Sequence, residues 1–308
     1  MHPKTLAPVL VTFVFSFALA QFPVTVTDDA GNNITFDAAP ERVVVVREEL
    51  LELLVSLDIQ PVGYGGRIDV PQGSEVTTHA YLSAEQLGTP VYIGEAQGLS
   101  LERIVLLNPD LILFPNDGGA EGSILDELAA IAPTLAFNPQ ARGSWQDIIV
   151  KLGEVLDKEA QAEAVLAAYA AKVAEVRADV AETVASAPRT AIVYLPSPDS
   201  TWILGSAFAL GGLAESLGFE AVAPAGVDLG PFGASEVSLE AFFDLETDAI
   251  FTIQFSEGVQ EGFQAETMLA AMDVPIMRVV LAEGRPYTGP ISEVFYMEQF
   301  RDQVLKAF

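Results

Sequence analysis

The sequence contains no cysteine. Disulfides, thiolate metal sites and cysteine nucleophiles are therefore excluded, as is the lipid-bearing cysteine that tethers some exported proteins. Histidine is almost as scarce: there are two in 308 residues, and one of them, His2, lies in an N-terminal leader. A receptor for bare zinc or manganese needs several imidazole and carboxylate ligands, and His79 alone is left to supply the imidazole. It sits in the polar stretch "VTTHAYLSAEQL", where a solvated histidine is the ordinary reading. Positive charge is short as well, with 15 Lys and Arg against 43 Asp and Glu and a net charge of −28. Nucleic acid and anionic membranes are poor partners for such a surface. There is no G-x-S-x-G elbow and no phosphate-binding P-loop, and the glycines of "GYGG" at Gly63 lack dinucleotide spacing. Among so many acids, neighbours such as Glu48 and Glu49 carry little information, and the composition points away from an enzyme.

What is present begins with that leader. Lys4 precedes an apolar run from Leu6 to Ala20 that closes on Ala18-Leu19-Ala20, the pattern of a secretory signal cleaved after Ala20. The run is short for a membrane span and is followed by the polar, turn-rich "QFPVTVTDDAGNN". The expected mature protein is exported to the periplasm or another extracytoplasmic space and is soluble.

Beyond the leader, apolar periodicity alternates between strand and helix. "VTVTDDAGNNITFD" reads as a hairpin, and "ERVVVV" as a strand covered on both faces. The leucines of "REELLELLVSLDI" fall on one helical face, and "PVGYGG" is a second strand. "LSLERIVLLNPDLILF", from Leu99, spells a helix over Leu101 to Leu107, a stop at Asn108-Pro109 and a buried strand over Leu111 to Phe114. The pattern predicts an α/β sheet with parallel strands. From Lys158 to about Ala185 the chain is rich in alanine, free of Gly and Pro and helical in pattern; at about 1.5 Å per residue it makes a rod of ~40 Å.

The alternation then restarts with "RTAIVYLP", "TWILG" and "AFALGGLAESLGF", and at Val237 the chain nearly repeats itself as "VSLEAFFDLETDAIFT". Ser100, Leu101, Glu102, Leu107, Asp110 and Ile112 recur as Ser238, Leu239, Glu240, Leu245, Asp248 and Ile250. Two related halves explain the echo. The expected organisation is a leader (1–20), an N-terminal α/β lobe (21–144), a helical linker (145–187) and a C-terminal α/β lobe (188–308). The expected fold class is α/β, with two Rossmann-like lobes of mostly parallel strands joined by one long helix. Ligands of open sheets bind outside the carboxyl ends of the strands, so two such lobes define one cleft.

The order and spacing of "ERVVVV…LLELLVSLDIQPVGYG", "LSLERIVLLNPDLILF", one long linking helix and "VSLEAFFDLETDAIF" resemble the periplasmic substrate-binding proteins of iron-siderophore, haem and cobalamin ABC importers. The resemblance runs from about Phe22 to the C-terminus. It implies a monomeric receptor that takes a metal chelate, here a ferric siderophore, between its lobes and delivers it to a permease dimer driven by a cytoplasmic ATPase, with no cofactor of its own. Haem or a corrinoid is the alternative cargo within the family, and an exported enzyme or sensor acting on a chelate is the alternative outside it. The stiff linking helix implies a small closure on ligand.

The resemblance also assigns roles. Glu102 and Glu240 match the acidic residues, one per lobe, that engage permease arginines, and two carboxylates on a stiff body suit bidentate bonding to guanidinium. Each also suits the first turn of a helix preceded by serine. For the ligand, Arg47 after the first strand and Arg67 after "GYGG" lie in loops that follow strands, and Arg285 and Tyr287 in "EGRPYTGP" stand where the family usually has cleft residues. Arg67 and Arg278 are the weaker basic candidates, each read as readily as a surface salt bridge in so acidic a protein. Phe232, Tyr92 and Trp202 are the aromatic candidates, though large aromatics bury readily wherever they fall. One departure is informative: where some hydroxamate-binding members carry an arginine before the first repeat, this chain has Glu95 in "YIGEAQGLSLE".

Overall fold

A computed structural model describes residues 22–47, 50–66, 81–95, 98–116, 124–138, 143–197, 200–230, 233–255, 264–281 and 289–308. The leader, Arg67, His79, Phe232, Arg285 and Tyr287 lie outside the described residues, as does the side chain of Glu95.

Strands β1 (Val24–Thr27) and β2 (Asn33–Phe36) pair antiparallel as the expected hairpin. Its turn is built on Asp28, whose Oδ1 accepts from the amides of Ala30 and Asn32. The N-terminal lobe then lays β3 (Val43–Val45), β4 (Gly63–Gly66), β5 (Val91–Glu95), β6 (Leu111–Pro115) and β7 (Thr134–Phe137) into one sheet of order β5-β4-β3-β6-β7. Every pairing in it is parallel. Its helices are α1 (Leu51–Ser56), α2 (Ala84–Leu87), α3 (Leu101–Leu107), α4 (Leu125–Ala129) and α5 (Ser144–Val155).

Both central strands are buried throughout, as continuous apolar runs require. Alternate residues serve opposite faces: Val43, Val45, Leu111 and Leu113 pack with α1 and α5, while Val44, Ile112 and Phe114 pack with α3 and α4. Glycine is required where β4 passes β3, since a Cβ on Gly65 would fall 1.7 Å from the Val46 carbonyl oxygen. Ser100 caps α3 by accepting from the Arg103 amide at 3.3 Å, and Asn108, left-handed at φ 46°, ends the helix before Pro109.

The linking helix is shorter than its composition suggests. α6 (Glu159–Asp179) has 21 residues, a length of about 30 Å. The chain turns at Val180, which is buried in the C-terminal core, and continues as α7 (Ala181–Ser186). Packing of Val180, rather than a Gly or Pro, breaks the rod. α6 runs from one core to the other: Val165 and Leu166 pack with the N-terminal lobe, Val173 and Val176 with the C-terminal lobe, and Tyr169 with both.

The C-terminal lobe contains β8 (Arg189–Ser197), β9 (Ser200–Leu204), α8 (Ala209–Ser216), β10 (Glu220–Ala221), β11 (Ala234–Glu236), β12 (Ala249–Phe255), α9 (Gln264–Leu269), β13 (Ile276–Leu281) and α10 (Pro290–Ala307). Its sheet has the order β11-β9-β8-β12-β13, with β10 also paired to β8. The pairings of β8 with β10 and β12, and of β12 with β13, are parallel; β9 and β11 enter antiparallel through a hairpin. The second copy of the repeat forms a 3-10 turn over Leu239–Asp244 instead of an α-helix. Unlike Ser100, Ser238 accepts no backbone amide of the turn that follows it.

Candidate functional site

In the N-terminal sheet all five strands run the same way, so their carboxyl ends share one edge. That edge is where a ligand of an open α/β lobe sits. Arg47 lies at it, two residues after β3, and is only 1% exposed, among the largest fully buried side chains of the molecule. Tyr92, in β5, is half-buried, with its ring edge-on to Tyr64 at 6.1 Å and its carbonyl accepting from Arg103 Nη1 at 2.9 Å. Trp202, in β9, is half-buried against the C-terminal core and donates its indole N–H to Ser200 Oγ at 3.0 Å. Arg278, in β13, is exposed. Arg47 and Tyr92 thus belong to the N-terminal lobe and Trp202 to the C-terminal lobe. Among the described residues, no group of three His, Cys, Asp or Glu side chains is arranged to hold a metal ion.

Glu102 and Glu240 are both exposed, each in the first turn of its lobe's copy of the repeat. The Glu240 carboxyl is held below the usual carboxylate range by its own backbone N–H and by the Ser238 hydroxyl. The repeated apolar residues point inward. Leu101, Leu107 and Ile112 pack in one core of the N-terminal sheet, and Leu239, Leu245 and Ile250 in the matching core of the other. Of the apolar and acidic positions common to both copies, only the two glutamates are left fully to solvent.

Where the lobes join, α1, α5, α6 and α10 bring together residues that the sequence reading did not single out. Glu52, on α1, is wholly buried, and its Oε2 accepts from the amides of Ser292 at 2.8 Å and Ile291 at 3.2 Å, at the start of α10. Glu293 is 4% exposed, and its carboxylate accepts from the Tyr169 hydroxyl of α6 and from the Trp145 side chain of α5. Trp145 and Tyr169 stack edge to face at 4.8 Å. Burial pushes each carboxyl up to about 7, with the proximity of Glu52 a smaller part of the rise at Glu293. Lower on α10, Lys172 of α6 pairs with Glu298 at 3.3 Å, and Tyr81 meets Tyr296 hydroxyl to hydroxyl at 3.0 Å. The signal available in the sequence was a single acid inside the leucine run "LLELL".

Among the described residues, no helix is long and apolar enough to cross a membrane. Residues 43–273 match the model of a family described as periplasmic binding protein. Over 230 residues the chain is 30% identical to the ferric enterobactin-binding periplasmic protein FepB of Escherichia coli, covering 72% of this chain and 70% of that one. It is 28% identical over 244 residues to the iron(3+)-hydroxamate-binding protein FhuD of Bacillus subtilis, covering 77% and 72%. The solved structure of Staphylococcus aureus SirA complexed with staphyloferrin B aligns with a TM-score of 0.69 at 21% identity, over 92% of this chain and 98% of SirA, a likeness of fold.

Proposed function

Since the chain belongs to the periplasmic binding protein family, we propose that it is an extracytoplasmic receptor that binds a ferric siderophore between its lobes and delivers it to an ABC-type permease. The observation that carries this reading is the 30% identity to a ferric enterobactin-binding protein across most of both chains. The relation to a hydroxamate-binding protein keeps the chelator class wide, and iron enters as cargo held by the chelator.

Arginines at the strand ends suit the anionic oxygens that surround ferric iron in such chelates. In this reading Arg67, Arg285 and Tyr287 contact the chelate, Phe232, Tyr92 and Trp202 supply aromatic walls, and Arg47 supports the floor from its buried position. Glu102 and Glu240 dock the receptor to arginines of a permease dimer, to which a cytoplasmic ATPase supplies the power. The receptor works as a monomer that reaches its compartment through a cleaved leader. The lobes are tied twice, by α6 and by the contact of α10 with α1, which favours a small closure on ligand.

Uptake tests the reading. Cells that express a cognate permease and this receptor should accumulate iron supplied as its ferric siderophore, and cells lacking the receptor should not. Equal uptake with and without the receptor overturns the proposal.

A further inference from the structure

Two carboxyls are buried at the junction of the lobes, and among the described residues no cation pairs with either. Glu52 belongs to α1 of the N-terminal lobe and Glu293 to α10 of the C-terminal lobe. One Glu52 oxygen, Oε2, accepts the two amides at the start of α10, while Oε1 is buried with no partner. Ser292 Oγ is likewise buried and unpartnered, although its side chain lies close enough to Glu52 to influence its titration. Glu52 thus meets the start of α10 through Oε2 alone. The approach is tight, because a Cβ on Gly289 would stand 2.7 Å from Glu52 Oε2.

Among the described residues, the groups that face the pair are few. α1 contributes Glu52 itself, α5 the Trp145 indole, α6 the Tyr169 hydroxyl, and α10 Ser292 and Glu293. The indole has the Gln146 amide oxygen as a second acceptor at 3.2 Å. Lys172, one turn beyond Tyr169, is engaged by Glu175 and Glu298. Arg301, further along α10, is engaged by Asp302 and Glu175. Arg47 precedes α1, yet among the described residues no cation shifts either carboxyl.

We propose that Glu52 and Glu293 form a proton-dependent clasp between the lobes, with Glu52 as a positioning residue that seats the first turn of α10 on the N-terminal lobe. When either carboxyl is neutral, the cap on α10 and the Tyr169 bond coexist without repulsion. When both are ionised, two negative charges share one dry site and the seat loosens. Both groups titrate above their ordinary value of 4.5 in the folded state. Their stabilising effect is therefore fully present below pH 4.5 and is lost as pH rises through about 7. The receptor would join its lobes firmly in acid surroundings and loosely in alkaline ones, with or without ligand.

The two tryptophans make the test direct. In a Trp202→Phe background, Trp145 alone reports on the Glu293 carboxyl. Its emission, titrated in the ligand-free mature protein, should change with a midpoint near neutrality. Glu293→Gln should abolish that transition, and Glu52→Gln should move its midpoint to lower pH by removing the repulsion. Positioning is read by hydrogen exchange of the Ile291 and Ser292 amides, corrected for intrinsic rates. Protection should fall roughly tenfold between about pH 6 and 8 in the wild type and stay level in Glu52→Gln, which keeps the acceptor without the charge. His79→Gln in every variant removes the one other side chain of the mature chain that ordinarily titrates in this window. A flat Trp145 titration, a midpoint that Glu52→Gln leaves in place, or pH-dependent protection that persists in Glu52→Gln overturns the clasp.

Discussion

Asp110 and Asp248 hold the same position in the two lobes and make the same bonds. Asp110 accepts from the Arg42 amide at 2.7 Å and returns its own N–H to the Arg42 carbonyl at 3.1 Å; Asp248 does both with Arg189, at 2.9 and 2.8 Å. Arg42 and Arg189 stand at the mouths of β3 and β8, the strands beside which β6 and β12 lie parallel. The repeated aspartate thus clamps the start of each lobe's central pair of strands. The repeat divides in two: its leucines, isoleucines and aspartates build the lobe, and its glutamates are exposed.

If the clamp is structural, Asp110→Ala and Asp248→Ala should each lower stability by about 1–2 kcal/mol, the usual cost of losing bonds to strand amides that water can partly replace. Urea unfolding midpoints measure this. Glu102→Ala and Glu240→Ala, at exposed positions, should leave the unfolding midpoint close to that of the wild type. A glutamate substitution as costly as its aspartate neighbour contradicts the division of roles.

The double substitution Glu102→Lys with Glu240→Lys should leave chelate affinity unchanged and abolish uptake, because the reversed charges would repel the permease arginines. Parallel measurements of binding and of transport distinguish the effects. Loss of binding together with uptake would place the glutamates in the ligand site or in the fold instead.

Gly289→Ala should displace the Glu52 carboxyl from the start of α10, since the added Cβ would come within 2.7 Å of Oε2 and 2.9 Å of Cδ. The backbone there is extended, at φ −161°, so alanine strains nothing by itself. The expected loss is about 1–3 kcal/mol, the range for overpacking a filled site. Combining it with Glu52→Ala should recover part of that loss, and fully additive costs would show that the two residues do not meet.

Arg47→Ala tests whether its buried guanidinium serves the ligand or the packing. A role beside an anionic chelate weakens binding more at low salt than at high. At 1% exposure the substitution should also lower stability, by roughly 2 kcal/mol or more. The expected outcome is both effects together. A stability loss with salt-independent binding would assign Arg47 to packing alone.

Much of this fold is written locally. The α3-β6 unit can be read from its leucine spacing, its capping Ser100 and its Asn108-Pro109 stop, all within sixteen residues of the chain. The break of the long helix at Val180 cannot, because nothing local marks it and its cause is packing against the far lobe. Glu52 was illegible for the same reason: the amides it caps lie 239 and 240 positions away. Burial also changed the picture of Arg47, which by position reads as a cleft arginine and in the fold is covered. Glu102 and Glu240 were legible as a pair because the repeat aligned them, and the fold leaves both exposed.

The most direct test of the central claim is equilibrium binding of the mature protein to a panel of ferric catecholate, ferric hydroxamate and ferric citrate complexes, haem and cobalamin. Its own tryptophans serve as the optical signal, with Trp202, half-buried in β9, as the expected responder. Saturable one-to-one binding of a ferric siderophore at submicromolar concentration is the expected result. Binding of haem or cobalamin alone, with no ferric siderophore bound, would contradict it.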